Sequence, residues 1–315
     1  MQTVAVLSLK GGVGKTTAVL GLASAAMRRG VRTLVVDLDP QCNATAALEP
    51  DETSGDLGNV LAEPGAASLR SAVAPSAWGE EVDVLVGSEG AEVHNGSGEG
   101  LERLTTALTE LGSLIDDGEL PHQLVLLDCP PSLGRLTRSA LVAADRALLV
   151  TEPTIFAVSG VQRAFEAVQA EREQTNPRLQ PLGVVVNRMR PRSQEHQFRI
   201  EELREIFGPL VMPVALPDRL AVQQAQGACV PIHQWGTPGA REVSLAFNLL
   251  LARALRASRS RRDRADAEEM LDEFDDDPAD QEEQPADEDP ADQADQADQE
   301  ERAADEERAD QEDPA

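Results

Sequence analysis

Residues 9–17 read LKGGVGKTT, and the runs on either side of them decide the fold. Before the glycines, TVAVLSL at 3–9 is an apolar run of strand length. After them, residues 16–29 carry the apolar spacing of a helix. A strand that turns through Gly11, Gly12 and Gly14 directly into a helix lets the main chain wrap closely around a small anion. Successive N–H groups and the helix N-terminus then point at the same spot, which suits a phosphate. Within Lys10, Gly11, Gly12, Val13, Gly14, Lys15, Thr16 and Thr17, two side chains have distinct tasks. Lys15 is expected to reach the β- and γ-phosphates of a nucleotide, and the Thr16 hydroxyl to help hold Mg2+.

Composition singles out the same nine residues. The chain has 28 basic side chains, and only Lys10 and Lys15 among them are lysine. With alanine abundant and tyrosine absent, this reads as a drift that replaces lysine by arginine wherever chemistry allows. The two survivors stand in one turn, where a compact ammonium is not exchangeable for a planar guanidinium.

Outward from the turn, strand-like runs recur at 31–38, 82–86, 124–128, 146–151, 182–187 and 210–216. Segments of helical spacing at 99–115, 134–144, 158–174, 194–207, 218–228 and 238–257 lie between and after them. Near-continuous Val/Leu strands are buried on both faces. Their alternation with helices predicts an α/β fold: a doubly wound, mostly parallel sheet with helices on both faces. Ligands of such a sheet bind at the carboxyl ends of its strands. Two stretches break the pattern: 49–80 reads as a loop carrying one short helix, and 87–100 (GSEGAEVHNGSGEG) as a mobile glycine-rich loop.

The formal charge of −28 is unevenly placed. Residues 265–315 hold 25 acidic side chains against Arg302 and Arg308, so the rest of the chain is close to balanced. Such a segment cannot bury enough apolar surface to offset its chain entropy and is expected to be disordered. The expected organisation is a nucleotide-binding domain over 1–257, a basic linker over 258–264 and a disordered acidic tail over 265–315. No stretch nears the roughly 20 apolar residues needed to span a bilayer, and the N-terminus lacks a signal peptide's pattern. Cys42, Cys129 and Cys229 form neither a disulfide framework nor a metal pair. The expected location is the cytoplasm.

The general phosphate loop is GxxxxGK[ST], and the stretch from Leu9 to Thr16 departs from it by starting with Leu9 and following with Lys10. KGGVGKT resembles the deviant Walker A motif of the ParA/MinD family of P-loop ATPases. VVDLDPQCNAT at 35–45 and LVLLDCPPSLG at 124–134 resemble the family's next two motifs, in the same order. The resemblance spans most of residues 3–257 and implies ATP and Mg2+ as ligands. It implies that Lys10 reaches the ATP of a partner subunit across a nucleotide-sandwich homodimer and that Asp39 positions the attacking water. It also implies that Asp128 holds Mg2+ through water, while Pro130–Pro131 stiffen the turn that senses the γ-phosphate. Lys10, Lys15 and Asp39 are thus the catalytic candidates, and Thr16 and Asp128 the metal candidates. Asp37 reads as a strand-end cap or an outer contributor to the metal, and Cys129 as a small packing residue. Asn187, ending the strand VVVN, has an amide that matches the donor and acceptor edge of adenine; the alternative is a strand-terminating Asn in a turn.

Within the family, the chain is most similar to the short chromosomal ParA/Soj type. It ends in acid rather than in a basic membrane helix, so no membrane partner is expected. Its cysteines do not suit an iron–sulfur cluster, it has no tyrosine for a tyrosine cluster, and Lys10 lies too near the start for a preceding helix-turn-helix domain. The resemblance implies non-specific DNA binding in the ATP state and a ParB-like activator, which would place the protein on the nucleoid. DNA candidates are Arg192 in RMRPR at 188–192, Arg219, and a cluster of Arg253, Arg256, Arg259, Arg261, Arg262 and Arg264. LPDRLAV at 216–222 departs from the Soj-like pattern, offering only Arg219 where arginines are usual. A solvated helix face is the alternative for the cluster, and a family member that positions a protein cargo with weak or no DNA binding is the alternative function. The tail, adjacent to Arg264, is expected to compete with DNA for the cluster; the alternative is a solubilising tail without regulatory effect.

Overall fold

A computed structural model describes residues 1–96, 100–114 and 121–258. The chain runs β1 (Gln2–Leu7), α1 (Lys15–Arg28), β2 (Thr33–Asp37), α2 (Asn43–Leu48), α3 (Leu57–Ala62), α4 (Ala66–Ala72), β3 (Val73–Ser76) and β4 (Gly79–Leu85). It continues with α5 (Arg103–Thr109), β5 (Leu124–Asp128), α6 (Arg135–Ala143), β6 (Arg146–Thr151), α7 (Ala157–Gln174), β7 (Gln180–Val186), α8 (Gln194–Phe207), α9 (Leu220–Gly227) and α10 (Pro238–Ser258).

The seven strands form one sheet in the order β3-β4-β2-β5-β1-β6-β7. Every pairing is parallel except β3 with β4. The doubly wound α/β expectation therefore holds. Because side chains alternate along a strand, Ala5 and Leu7 of β1 join one buried layer and Val4 and Val6 the other. The first layer packs α3 to α8 on the sheet, and the second packs α1, α9 and α10. β1 lies between β5 and β6, in register Val6 with Asp128 and Leu7 with Leu149. The carboxyl ends of β1, β2, β5, β6 and β7 therefore meet along one edge, which is where the glycine-rich turn leaves the sheet.

Three expectations needed correction. Residues 210–216 are not a strand: apart from isolated bridges of Val211 to Val184 and of Pro217 to Met189, they run beside β7 without a ladder. Pro213 and Pro217 have no N–H to give to one. Their close approach needs Gly183, where a Cβ would lie 2.6 Å from the Leu210 carbonyl oxygen and φ is +148°. Residues 49–80 hold two helices and the antiparallel edge strand β3, not a loop with one short helix. Leu57, Val60, Leu61 and Leu69 are buried there, at a density that the surrounding Gly, Pro and Ser obscured. Residues 89–95 form a 3-10 turn within the stretch read as a loop, seated by the fully buried Ala91. The expected disordered tail, the competition proposed for it, and Arg259, Arg261, Arg262 and Arg264 lie outside the described residues.

Candidate functional site

Gly12 and Gly14 both take positive φ, 78° and 94°. Gly14 is the N-cap of α1 and provides no side-chain cap, so the first-turn N–H groups are left for an external acceptor. A Cβ on Gly14 would overlap the amide nitrogen of Asn187, which is buried and donates to the Val13 carbonyl at 2.8 Å. Asn187 thus braces the loop with one amide proton. Beside it, Arg188 donates to the Gly12 carbonyl at 2.9 Å and pairs with Glu152 at 2.6 Å.

Lys15 is buried at the first position of α1. The next residue, Thr16, donates its hydroxyl to Asp128 Oδ2 at 2.7 Å. Asp128 is fully buried at the end of β5, in register with Asp37 at the end of β2. Asp37 Oδ2 accepts from the Thr45 N–H and hydroxyl, at 2.8 and 2.9 Å, so Asp37 does cap backbone. The other oxygen of each aspartate, Oδ1, is buried without a hydrogen-bond partner. Burial, reinforced by the Asp37 charge, pushes the Asp128 carboxyl up to about 8. Burial also pushes Asp37 up to about 6, against the two Thr45 hydrogen bonds.

Two buried carboxylates with orphaned oxygens, next to a threonine hydroxyl, form a donor set that fits a cation. Hard oxygen donors of this kind suit Mg2+. Thr16 and Asp128 are the residues that would hold it, directly or through water, with Asp37 behind them. Among the described residues no three His, Cys, Asp or Glu side chains gather into a metal cage.

Asp39 lies two residues beyond β2, largely buried, and its Oδ1 accepts from the Gln41 N–H at 3.0 Å. Lys10 is half exposed, with its ammonium 3.8 Å from Glu152. Thr17 accepts from Gln226 of α9 at 3.1 Å. Ile155 and Phe156, just past Glu152, are 63% and 67% exposed. Cys129 is fully buried, and burial pushes its thiol up, as a packing residue requires.

The arginines are less uniform. Arg192 is exposed in the turn before α8, and Arg256 is exposed in the last turn of α10. Arg219 instead makes a two-pronged pair with Glu242, both contacts at 2.7 Å. Arg190 is paired with Asp218 at 2.7 Å, and Arg253 donates to the Pro209 carbonyl.

Sequence reasoning missed Glu152, Gln226 and the bracing role of Arg188. Arg188 had a signal in its place next to Asn187, whereas Glu152 and Gln226 come near the loop only through the fold. A chain Ser24–His233–Asn248 has the connectivity of a nucleophilic triad, with contacts of 2.8 and 3.1 Å. Ser24 is fully buried and burial lowers the His233 pKa. These residues clamp α1 to α10 and have no access to a substrate. No helix among the described residues is long and apolar enough to cross a membrane.

Residues 1–181 match a family model described as an AAA domain. The chromosome-partitioning ATPase Soj of Thermus thermophilus is 34% identical over 259 residues, covering 82% of this chain and 98% of that protein. The chromosome partitioning protein ParA of Caulobacter vibrioides is 30% identical over 234 residues, covering 74% and 86%. Among solved structures, the septum site-determining protein MinD complexed with Mg-ADP, from Pyrococcus horikoshii, superposes with a TM-score of 0.62. It does so at 23% identity, over 80% of this chain and 94% of that one, a likeness of fold.

Proposed function

The chain belongs to the ParA/MinD family of P-loop ATPases, and from that premise we propose that it is an ATP-dependent dimerising switch of chromosome or plasmid partitioning. It binds DNA non-specifically in the ATP state and releases it on hydrolysis to ADP and phosphate. One observation carries this reading. The chain's two lysines, the Thr16–Asp128 pair and the orphaned Asp37 and Asp128 oxygens converge on one end of the sheet. Bound Mg2+ would supply charge neutralisation on the β- and γ-phosphates. Lys15 binds and orients those phosphates from its own subunit. Asp39 orients the attacking water and can accept its proton. Asn187 braces the loop through the Val13 carbonyl, and the rest of its amide would read the adenine edge.

Lys10 acts on the second subunit. In the single chain it rests beside Glu152, within reach of solvent, and in the dimer it crosses to the partner's ATP. Ile155 and Phe156 on the same edge are apolar area that a second copy would cover. This reading makes the ATP-bound homodimer the active species and a ParB-like protein its activator.

DNA contact falls to Arg192 and Arg256, since the Arg219 charge is matched by Glu242. The matched pairs Arg219–Glu242 and Arg190–Asp218 are the observation that favours the second reading, a cargo-positioning ATPase with weak or no DNA binding. A DNA-binding assay with a slowly hydrolysed ATP analogue, with ADP and without nucleotide separates the two. Partitioning predicts binding with the analogue alone, indifferent to sequence. Each phosphate neutralised adds about one to the log–log salt slope, so Arg192→Ala should lower the slope by about two in a dimer. Binding without nucleotide, or to one sequence, contradicts the mechanism; no binding in any state supports cargo positioning.

A further inference from the structure

The 3-10 turn at Glu89–Asn95 lies between two segments that converge on the candidate site. At its start, the Gly87 N–H donates to the Thr45 hydroxyl at 2.9 Å, and that hydroxyl donates to Asp37 Oδ2. Gly87 is also close against the Asp37 carboxyl: a Cβ there would lie 3.0 Å from its Cγ. In the middle, Ser88 Oγ accepts from the Gly90 N–H at 3.1 Å, and Ala91 is fully buried in the layer that contains Leu57 and Leu136. At its end, Asn95 reaches residues 129–136, the stretch that follows Asp128. Asn95 Oδ1 accepts from the Leu136 N–H at 3.4 Å, and its amide donates to Glu92 at 3.1 Å.

Gly134 shows how closely Asn95 is seated. A Cβ built on Gly134 would fall inside the Asn95 amide. The Gly134 backbone, φ −67° and ψ −179°, is open to any residue, so the glycine is needed for the neighbour and not for the turn. Gly134 is the N-cap of α6 and has no side chain to cap it. Asn95, 41 residues before Leu136, supplies the acceptor that a capping Ser or Asp would otherwise provide. Gly87 to Asn95 is therefore a strut, with one end on the Asp37–Thr45 pair beneath Asp39 and the other on the segment after Asp128.

We propose that Asn95 is a positioning residue for hydrolysis. It seats residues 129–134, through Gly134 and Leu136, in register with the Asp37–Asp39 segment across the γ-phosphate. The proposal rests on the ATPase reading above. Asn95 touches neither the loop at 10–17 nor Asp128, so it should set turnover and not nucleotide affinity.

The test is steady-state ATP hydrolysis with equilibrium ATP binding, on the full chain, for Asn95→Ala, Glu92→Gln/Asn95→Asp, Gly134→Ala and Asn95→Ala/Gly134→Ala. Asn95→Ala should lower kcat several-fold, less than the roughly 100-fold that a 1 Å misplacement can cost, with the Kd for ATP unchanged within about twofold. Gly134→Ala should reproduce that loss by displacing the Asn95 amide, and it carries the test where Asn95→Ala does not fold. Asn95→Asp keeps the acceptor and adds a charge that suits a helix N-terminus; made together with Glu92→Gln, which removes the facing carboxylate, it should retain turnover. Asn95→Ala/Gly134→Ala should be no worse than the worse single, since both remove one contact. Wild-type kcat in Asn95→Ala, equal losses in Glu92→Gln/Asn95→Asp, or additive losses in Asn95→Ala/Gly134→Ala would overturn the proposal. Lys15→Ala in the same assay separates the two levels: hydrolysis that survives it removes the ATPase reading and this proposal together. Lys15-dependent hydrolysis that is indifferent to Asn95 removes this proposal alone.

Discussion

Replacing Lys15 by alanine is expected to lower ATP affinity at least about 100-fold, the equivalent of about 2.7 kcal/mol. The expectation follows from burial and charge. Lys15 is only 6% exposed, at the head of a helix whose first N–H groups have no side-chain cap. An ammonium there meets phosphate in a site with little water, where a charge-assisted contact is about twice as strong as a neutral one. Alanine leaves the Gly12 and Gly14 backbone intact, so residual binding reports the loop alone. Lys15→Arg should not restore affinity, because a guanidinium is a wide, planar group and the position is buried. That variant is informative in a chain with only two lysines. Isothermal titration with ATP and ADP measures both variants, and wild-type affinity in Lys15→Arg would show that the retained lysine is incidental.

The second large effect belongs to Asp39. Turnover should fall at least about tenfold in Asp39→Ala, a floor set below the roughly 100-fold at which general-base contributions begin. ATP affinity should change little, because the Thr16, Asp128 and Lys15 contacts are untouched. Asp39 Oδ1 also closes a turn with the Gln41 N–H, so alanine removes a structural bond along with the charge. Asp39→Asn separates the two: it keeps an acceptor for Gln41 and cannot take a proton. Both variants should hydrolyse slowly and accumulate as the ATP-bound dimer. Single-turnover kinetics reads the chemical step directly, and a wild-type rate in Asp39→Asn would exclude Asp39 as the water-orienting group.

Much of this arrangement was legible before the fold was known, for a physical reason. Gly12, Gly14, Lys15 and Thr16 act within one turn of chain, so their geometry is local and their spacing encodes it. Parallel strands buried on both faces announce themselves as Val/Leu runs, and of the two aspartates of VVDLDP one closes such a strand and the other follows two residues on. The unread parts are those whose meaning depends on a distant neighbour. Glu152 comes beside Lys10 because β6 lies next to β1. Asn187 contacts Val13 across 174 residues, and Gly134 is shaped by Asn95 across 39. The segment at 210–216 misled for the opposite reason. Its apolar residues are buried as in a strand, but its prolines prevent the ladder, and periodicity does not distinguish the two. Arg219 shows the same limit in its charge: a basic residue read from the sequence as a DNA candidate is paired with Glu242, which lies 23 residues further on.

The central claim is that ATP joins two copies through Lys10, and sedimentation velocity on the full chain tests it most directly. With a slowly hydrolysed ATP analogue and Mg2+, the wild type should sediment as a dimer, and with ADP as a monomer. Lys10→Ala should bind the analogue with near wild-type affinity yet remain a monomer, because its target lies in the other subunit. A Lys10→Ala dimer of wild-type strength in the presence of the analogue would contradict the account.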